Sequence, residues 1–152
     1  MALRDIRTAG DEVLRKKSKT VGNIDDKILL ILKDMLETLM NTGNGAGLAA
    51  PQIGVLRRLI IVHTPQGYVS LINPEIIEQS PEHEVVEGCL SVPDVWGYTM
   101  RPKRVKVKAM DDKGQEFYME AEDDLAKCLC HEIDHLDGIL FIDKVTRFIK
   151  DE

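Results

Sequence analysis

The sequence lacks the features that would mark a membrane-spanning or exported protein. The longest unbroken apolar run in its first half, Ile28 to Leu32, is far shorter than the roughly 20 residues needed to span a bilayer. Charged residues at Arg4, Asp5 and Arg7 interrupt the N-terminal segment, so we expect no secretory signal there. These absences predict a protein that neither enters a membrane nor leaves the cytoplasm.

Basic charge and cysteine are also scarce. The 20 Lys and Arg residues are outnumbered by 26 Asp and Glu residues, which gives a formal net charge of −6. This balance supplies no basic face for a nucleic acid, so we expect no nucleic-acid partner. Only three cysteines are present, at Cys89, Cys128 and Cys130. An odd number without an export signal predicts reduced thiols in a cytoplasm and no disulfide framework.

The length and composition are those of an ordinary folded domain. The chain has 152 residues, of which 43% are apolar and 30% are charged. It contains no internal repeat, no low-complexity tract and no linker long enough to divide it. We therefore expect one domain that spans residues 1–152.

Helical periodicity occurs near each end of the sequence. The first helix is predicted over Asp25 to Met40, with Asp25 or Asp26 as its N-cap and Gly43 to Gly47 as its stop. A second helix is predicted from about Glu122 to Gly138, with Asp123 or Asp124 as its cap. The apolar stripe of the first helix indicates a buried face and consists of Ile28, Leu32, Met35 and Leu39.

Strand-like runs lie between the two helical segments. They form two pairs, each separated by turn residues, as in antiparallel hairpins. The runs are Arg58 to His63, Tyr68 to Ile72, Val105 to Met110 and Glu116 to Glu120. The order predicts an α+β fold in which antiparallel sheets pack around the central second helix, with an amphipathic helix nearer the N-terminus.

The second helix carries the sequence His131-Glu132-Ile133-Asp134-His135, an H-E-x-x-H pattern. At about 100° per residue, His135 lies about 40° around the helix from His131, so both imidazoles can reach one metal ion. Glu132 borders the same face, where it can act as a general base on water. The pattern therefore predicts a metal-dependent hydrolytic site.

Such a site requires a third protein ligand and one open position. Cys128 shares the helix face of His131, but it is seven residues from His135, roughly 10 Å along the helix axis. That span is too long for bonds of about 2.1–2.3 Å to one ion. Cys128 is therefore predicted to be a wall residue, and Cys130 to be a packing residue. Cys89, next to the small Gly88, is the favoured third ligand.

A run of small residues, Gly45 to Gln52, forms a third candidate segment. It lacks the G-K-[ST] sequence of a phosphate-binding loop. Its small side chains favour a peptide substrate lying along the backbone, and the Gln52 amide is a candidate donor to an oxyanion.

At this point three classes of function remain open. The H-E-x-x-H pattern also occurs in endopeptidases, whose third ligand is usually a downstream His or Glu. A structural metal in a non-catalytic binding module is the third class, and it requires a fourth protein ligand. The spare candidates for that ligand are Cys128, Cys130, His63 and His83.

Three segments carry recognisable motifs: G-A-G-L-A-A-P-Q at 45–52, E-G-C-L-S at 87–91 and H-E-I-D-H at 131–135. Together they resemble the signature motifs of bacterial peptide deformylases. Their order and spacing match the family, and the similarity extends over roughly residues 1–146. The resemblance implies hydrolysis of the N-formyl group from the initiator methionine of new polypeptides, with nascent chains at the ribosome as substrates and a monomeric enzyme in the cytoplasm.

The resemblance also implies roles for individual residues. Cys89, His131 and His135 would hold the metal, and Glu132 would transfer the proton. Gln52 and the backbone N–H of Leu90 would polarise the formyl oxygen, while Gly45 and Gly47 would pair with the substrate. The ligand types alone suit Zn²⁺ or Fe²⁺ and favour zinc. The family instead implies Fe²⁺, with Zn²⁺, Ni²⁺ or Co²⁺ able to replace it.

Some positions depart from the family or have two interpretations. Ala46 and Cys130 stand where a larger branched residue and a glutamine are usual, and the tail after Phe141 is shorter than in relatives with a long C-terminal helix. An apolar pocket for the methionine side chain is predicted from Val85, Leu125 and Cys128.

Five further residues have more than one interpretation. Glu87 and Arg101 are interpreted as either a pair near the site or ordinary surface charges. Asp134 is either a partner of a histidine or solvated. Trp96 and Tyr98 are either part of the rim of the substrate cleft or ordinary packing residues.

Overall fold

The computed structural model of the protein describes residues 3–43 and 45–149. Its two α-helices are α1, Asp26–Thr42, and α2, Asp123–Leu136. The eight strands are β1 Gly47–Ala49, β2 Leu59–Thr64, β3 Gly67–Gln79, β4 Glu82–Cys89, β5 Val92–Pro102, β6 Arg104–Met110, β7 Glu116–Glu122 and β8 Arg147–Ile149. The predicted α+β class with antiparallel sheets is confirmed.

The strands form two sheets. A five-stranded sheet has the order β1-β2-β3-β6-β7, and a three-stranded sheet has the order β4-β5-β8. Every strand pairing within the two sheets is antiparallel. Among the described residues, neither helix is long and apolar enough to cross a membrane.

Strand β2 is buried on both faces because a helix covers each side of the five-stranded sheet. Ile60 and Val62 belong to the apolar cluster that includes the buried face of α2. Leu59 and Ile61, which alternate with them, belong to the cluster that includes the buried face of α1. The sheet therefore lies between the helices, and α2 also contacts β5 of the smaller sheet.

The ends of the helices agree only partly with the predicted caps. The side chain of Asp25 accepts a hydrogen bond from the Ile28 amide, and Gly43 ends α1 with a φ of 79°. In α2, however, the N-cap is Glu122, and neither Asp123 nor Asp124 is the cap. Asp123 lies inside the helix start with a φ of 53°, so it cannot adopt the extended conformation of a cap residue.

Candidate metal centre and catalytic cavity

Cys89, at the end of β4, lies next to two histidines of α2. The potential ligand atoms of Cys89, His131 and His135 all lie within 4.8 Å of one another. The Sγ atom of Cys89 is 3.3 Å from Nε2 of His135. Ligand atoms bound to one tetrahedral ion at about 2.0–2.3 Å are roughly 3.3–3.8 Å apart, so this donor set fits a single divalent ion. Within residues 3–43 and 45–149, the group contains three ligands, and the fourth that a structural site would require is not among them.

Two N–H groups point at the Cys89 sulfur. The Ser91 amide is 3.4 Å from Sγ, and Nε2 of Gln52 is 3.7 Å from it. Donors in these positions stabilise negative charge on sulfur, which is the form of cysteine that binds a metal. The turn after β4 therefore surrounds the Cys89 sulfur with hydrogen-bond donors, which packing alone would not require.

His135 is suited to metal binding by its protonation state. It is fully buried, and burial together with the adjacent His131 lowers the pKa of its imidazole to about 3. The ring is therefore neutral at pH 7, and only a neutral imidazole binds a metal. Its Nε2 atom faces Cys89, while its Nδ1 atom has no hydrogen-bond partner among the described residues.

Glu87 orients the second histidine. Its Oε1 atom is 2.7 Å from Nδ1 of His131. Burial would raise the pKa of Glu87, but hydrogen bonds from His131 and Arg101 outweigh it and lower the pKa to about 2. Because the carboxylate is ionised, Nδ1 of His131 donates a hydrogen bond to it. Burial lowers the pKa of His131, but the nearby Glu132, Cys89 and Glu87 outweigh burial and raise it, so a metal at Nε2 would displace a proton.

Arg101 holds this carboxylate in place. Its Nε and Nη2 atoms lie 2.6 Å and 3.0 Å from the two oxygens of Glu87. Its Nη1 atom lies 2.6 Å from Asp134, which also pairs with Lys144 at 3.3 Å. Glu87 and Arg101 thus form a buried pair, and the interpretation as surface charges is wrong. Asp134 makes its polar contacts with Arg101 and Lys144, so it supports His131 through two intermediate side chains.

Replacing Arg101 with methionine is expected to lower the free energy of unfolding by about 3 kcal/mol, because it leaves the Glu87 carboxylate buried without its counter-ion. Arg101 is only 2% exposed, so water cannot replace the guanidinium. Thermal unfolding of the variant would measure the loss. The control is Arg104→Met at an exposed position of β6, where a change within about 0.5 kcal/mol is expected. Equal melting temperatures for both variants would contradict the assigned role of the pair.

Glu132 lies beside the ligand group with a carboxyl suited to proton transfer. It is 4% exposed, and its Oε1 atom has no hydrogen-bond partner in the part of the chain that the structure describes. Burial raises the pKa of Glu132 to about 7. A carboxyl group with a pKa near the working pH can both accept and donate a proton, as a general acid–base must.

Gln52 has a fixed amide orientation. Its Oε1 atom accepts a hydrogen bond from the Ala49 amide at 2.9 Å, and its Nε2 atom donates to Ser91 Oγ at 3.0 Å. The donor end therefore faces the turn that carries Cys89 and Leu90. Leu90 follows the ligand directly, and both Gln52 and Leu90 line the cavity described next.

A cavity of about 540 Å³ opens onto these groups. Its walls are β1 with the residues before it, the end of β4, the start of β5 and one face of α2. At Gly47 the β1 backbone lies so close to α2 that an added Cβ atom would be 2.8 Å from Cys128 Sγ and 3.0 Å from Glu132 Oε2. The glycine therefore allows the β1 backbone to contact α2 directly.

Not every residue predicted for the substrate pocket lies in this cavity. Gly45, Gly47 and Cys128 line it, but Val85 and Leu125 do not. Val86, the next residue of β4, lines the cavity in place of Val85. Leu125 packs against the apolar cluster that contains the buried face of α2, and Asp124 and Lys127 line the cavity instead.

Cys128, Cys130 and His63 lie where packing explains them. Burial raises the pKa of the Cys130 thiol to about 11, and this residue packs in the apolar core. His63 stacks on Tyr68 with ring centroids 4.3 Å apart. Cys128 is a buried wall residue beside Glu132, as expected from its position on the helix.

Known proteins are similar to this chain over nearly its full length. The sequence profile described as polypeptide deformylase matches residues 3–150. Peptide deformylase 2 of Clostridium acetobutylicum is 55% identical over 150 residues, which are 99% of this chain and all of that protein. The peptide deformylase of Caldicellulosiruptor bescii is 55% identical over 152 residues, which are all of this chain and 91% of that protein.

Solved structures of such proteins share the fold. A peptide deformylase structure from Legionella pneumophila superposes with a TM-score of 0.91 at 41% identity, covering 95% of this chain and 87% of that one. The structure of the peptide deformylase from Thermotoga maritima gives a TM-score of 0.91 at 39% identity, covering 96% and 99% of the two chains.

Proposed function

This chain belongs to the polypeptide deformylase family, and we propose that the cavity between β1, β4 and α2 is where it carries out the reaction of that family. The chain is an enzyme that removes the N-formyl group from newly synthesised polypeptides. The observation that carries the assignment of the site is the cluster of Cys89, His131 and His135 beside Glu132.

The proposed metal site consists of one thiolate and two imidazoles. This donor set suits both Fe²⁺ and Zn²⁺. We assign Fe²⁺ as the physiological ion because the signature motifs imply it, with Zn²⁺, Ni²⁺ or Co²⁺ as substitutes. A divalent ion in this position supplies Lewis acidity, which polarises a carbonyl oxygen and lowers the pKa of water.

The proposed proton transfers are made by Glu132. It accepts a proton from the attacking water and delivers it to the amine that leaves. Its position next to the ligand group and its pKa of about 7 support both steps. Because the carboxyl oxygen Oε1 has no competing partner among the described residues, it is available to the water.

The formyl oxygen is held by two proposed donors. The Nε2 group of Gln52 and the backbone N–H of Leu90 donate hydrogen bonds to it as it becomes negatively charged. Each such donor is worth on the order of 3 kcal/mol in the transition state. The Ala49 amide supports this role, since it holds Oε1 of Gln52 and so keeps Nε2 directed at the turn of Cys89 and Leu90. The N–H that lies 3.7 Å from Cys89 Sγ would pass to the formyl oxygen, while the other stays on Ser91.

The proposed substrate path follows the glycines at the start of β1. The peptide backbone lies along Gly45 and Gly47, and the methionine side chain enters the cavity against Cys128. Val86 takes the place that the sequence analysis gave to Val85. Methionine suits such a slot because its unbranched side chain adapts to an irregular apolar wall.

The wider setting is also part of the proposal. We assign residues 1–152 to one catalytic domain, with α2 as the central helix of the two sheets and α1 as the N-terminal amphipathic helix. The enzyme acts as a monomer in the cytoplasm on nascent chains at the ribosome. The net charge of −6 favours no direct contact with nucleic acid.

A comparison of formylated and acetylated peptides tests the proposed function. Formyl-Met peptides are expected to react at least about tenfold faster than acetyl-Met peptides, since one extra methyl group in a tight site costs about 1–3 kcal/mol. Mass spectrometry of the products should show loss of the formyl group alone. Internal fragments from a pure preparation would contradict the proposal and indicate an endopeptidase.

A further inference from the structure

Ser91 connects three parts of the protein around the proposed site. It is fully buried, and its hydroxyl accepts a hydrogen bond from Nε2 of Gln52 at 3.0 Å. Its amide lies 3.4 Å from Sγ of Cys89, and its carbonyl accepts a hydrogen bond from the Ala9 amide at 2.8 Å. Each polar group of Ser91 is therefore engaged, although the residue is neither a proposed metal ligand nor a proposed donor to the substrate.

The hydroxyl of Ser91 fixes the plane of the Gln52 amide. The Ala49 amide holds Oε1 of Gln52 at 2.9 Å, but one contact leaves the amide plane free to rotate. The oxygen and both N–H groups of a primary amide lie in one plane, so a second contact to Ser91 Oγ determines where the other N–H points. That other N–H is the one 3.7 Å from Cys89 Sγ, which the proposed function assigns to the formyl oxygen.

A turn near the N-terminus holds the backbone of Ser91. In this turn of residues 8–11, the Asp11 amide donates to the Thr8 carbonyl at 3.0 Å. Gly10 has a φ of 105°, as is typical of the third position of a type II turn. The Ala9 amide is left free by the turn and donates to Ser91.

The same segment also holds the backbone of Gln52. The Arg7 amide donates to the Gln52 carbonyl at 2.7 Å, and the Arg7 guanidinium pairs with Asp11 at 3.0 Å. Leu14, which follows the turn, is fully buried and anchors the segment. Gln52 and Ser91 are therefore joined twice, once directly through their side chains and once through residues 7–9.

We propose that Ser91 is a positioning residue for the reaction and that, held by the turn of residues 8–11, it directs the Gln52 amide at the formyl oxygen. This inference rests on the proposed function, because it concerns how one of the two oxyanion donors is oriented. Such a donor matters most when negative charge develops on the oxygen, so loss of its orientation lowers kcat and leaves KM nearly unchanged.

The substitution Ser91→Ala is expected to reduce kcat on formyl-Met-Ala-Ser about tenfold, because a small displacement of a positioned group slows a reaction steeply. KM should stay within about twofold, and one metal ion per chain should remain, because alanine keeps the amide that faces Cys89. The matched control is Ser18→Ala, at a buried serine whose hydroxyl has no hydrogen-bond partner among the described residues. Its kcat should stay within about twofold of the wild-type value.

A double-mutant cycle with Gln52→Ala separates positioning from an independent effect of Ser91. Gln52→Ala alone should lower kcat at least about a hundredfold, as expected for the loss of one oxyanion donor. In that background Ser91→Ala should cost less than about twofold, because the group that Ser91 positions is gone. A further tenfold loss would show that Ser91 acts on another group and would overturn the inference.

The substitution Ala9→Pro tests the turn. Proline is favoured at the second position of a β-turn, so the turn is preserved, but the hydrogen bond to the Ser91 carbonyl is lost. We expect kcat to fall about tenfold, and again less than about twofold in the Gln52→Ala background. The matched control is Asp112→Pro, at the second position of an exposed turn, whose amide makes no hydrogen bond within residues 3–43 and 45–149. It should leave kcat unchanged.

These measurements distinguish the inference from the function on which it rests. Normal kcat in Ser91→Ala or Ala9→Pro, with a slow Gln52→Ala enzyme, would overturn the inference alone, even if the melting temperature fell. A rise in KM at constant kcat would assign Ser91 to substrate binding and also overturn it. Normal kcat in Gln52→Ala would remove the proposed role of Gln52 and the inference with it. Absence of formate release by the metal-replete wild-type protein would overturn the proposed function.

Discussion

The substitution Glu132→Gln is expected to reduce kcat on a formyl-Met peptide at least about a hundredfold, while one metal ion per chain stays bound. Glutamine preserves the size of the side chain and leaves Cys89, His131 and His135 unchanged. It cannot accept a proton from water, and it cannot return one to the leaving amine. The loss should therefore appear in kcat, with the metal content of the purified protein unaltered.

The Glu132→Gln variant should also fold normally. Burial raises the pKa of Glu132 to about 7, which means that the ionised form is disfavoured by its surroundings. A neutral amide in the same place removes that penalty, so the melting temperature should not fall. Glu120→Gln, at an exposed position of β7, is the matched control for loss of one carboxylate. Near-normal turnover by metal-replete Glu132→Gln protein would remove Glu132 from its role.

The second large effect concerns the choice between two cysteines at the cavity. Cys89→Ala should weaken metal binding by more than about a hundredfold, a larger loss than the 10–100-fold typical of residues that only orient a ligand. Cys128→Ala should keep one ion per chain, because the Cys128 thiol lies against Gly47 and Glu132 and its pKa is raised by burial. A buried thiol that stays protonated is a poor ligand.

Metal analysis of both cysteine variants after dialysis measures this difference. The expected result is loss of metal and activity together for Cys89→Ala. If metal content followed Cys128 instead, the assignment of the third ligand would be wrong, and the 3.3 Å contact between Cys89 and His135 would be simple packing.

Local sequence patterns predicted the features that depend on contacts between residues close together in the sequence. The stripe of α1 and the cap at Asp25 follow from spacing along one helix. The β6–β7 hairpin has Val105 opposite Ala121 and a turn at Asp111, as the run of turn residues indicated. The proximity of His131 and His135 likewise follows from the geometry of one helical turn.

Strands β4 and β5 were not predicted, because their pattern of burial is reversed. Glu87 and Arg101 face inward and Trp96 and Met100 face outward, so polar residues occupy the buried positions. A prediction that assumes apolar side chains face the core therefore finds no regular strand in this part of the sequence. The partnership of Glu87 and Arg101 becomes visible only when the two strands are paired.

Strand β3 was predicted too short for a different reason. It runs to Gln79 through Asn73, whose φ of 52° would normally indicate a turn. The side chain of Asn73 accepts a hydrogen bond from the Val21 amide and donates one to the Val21 carbonyl, which holds this irregular backbone in place. Such a contact joins residues 52 positions apart and leaves no local signal in the sequence.

The most direct test of the metal-dependent deformylase site is a metal titration of the wild-type protein. Protein purified anaerobically and stripped of metal should release no formate from a formyl-Met peptide. Addition of Fe²⁺ should restore activity in proportion to the ion bound and reach a plateau at one ion per chain. Full activity of the metal-free protein, or a plateau that is reached without occupation of Cys89, His131 and His135, would contradict the assignment.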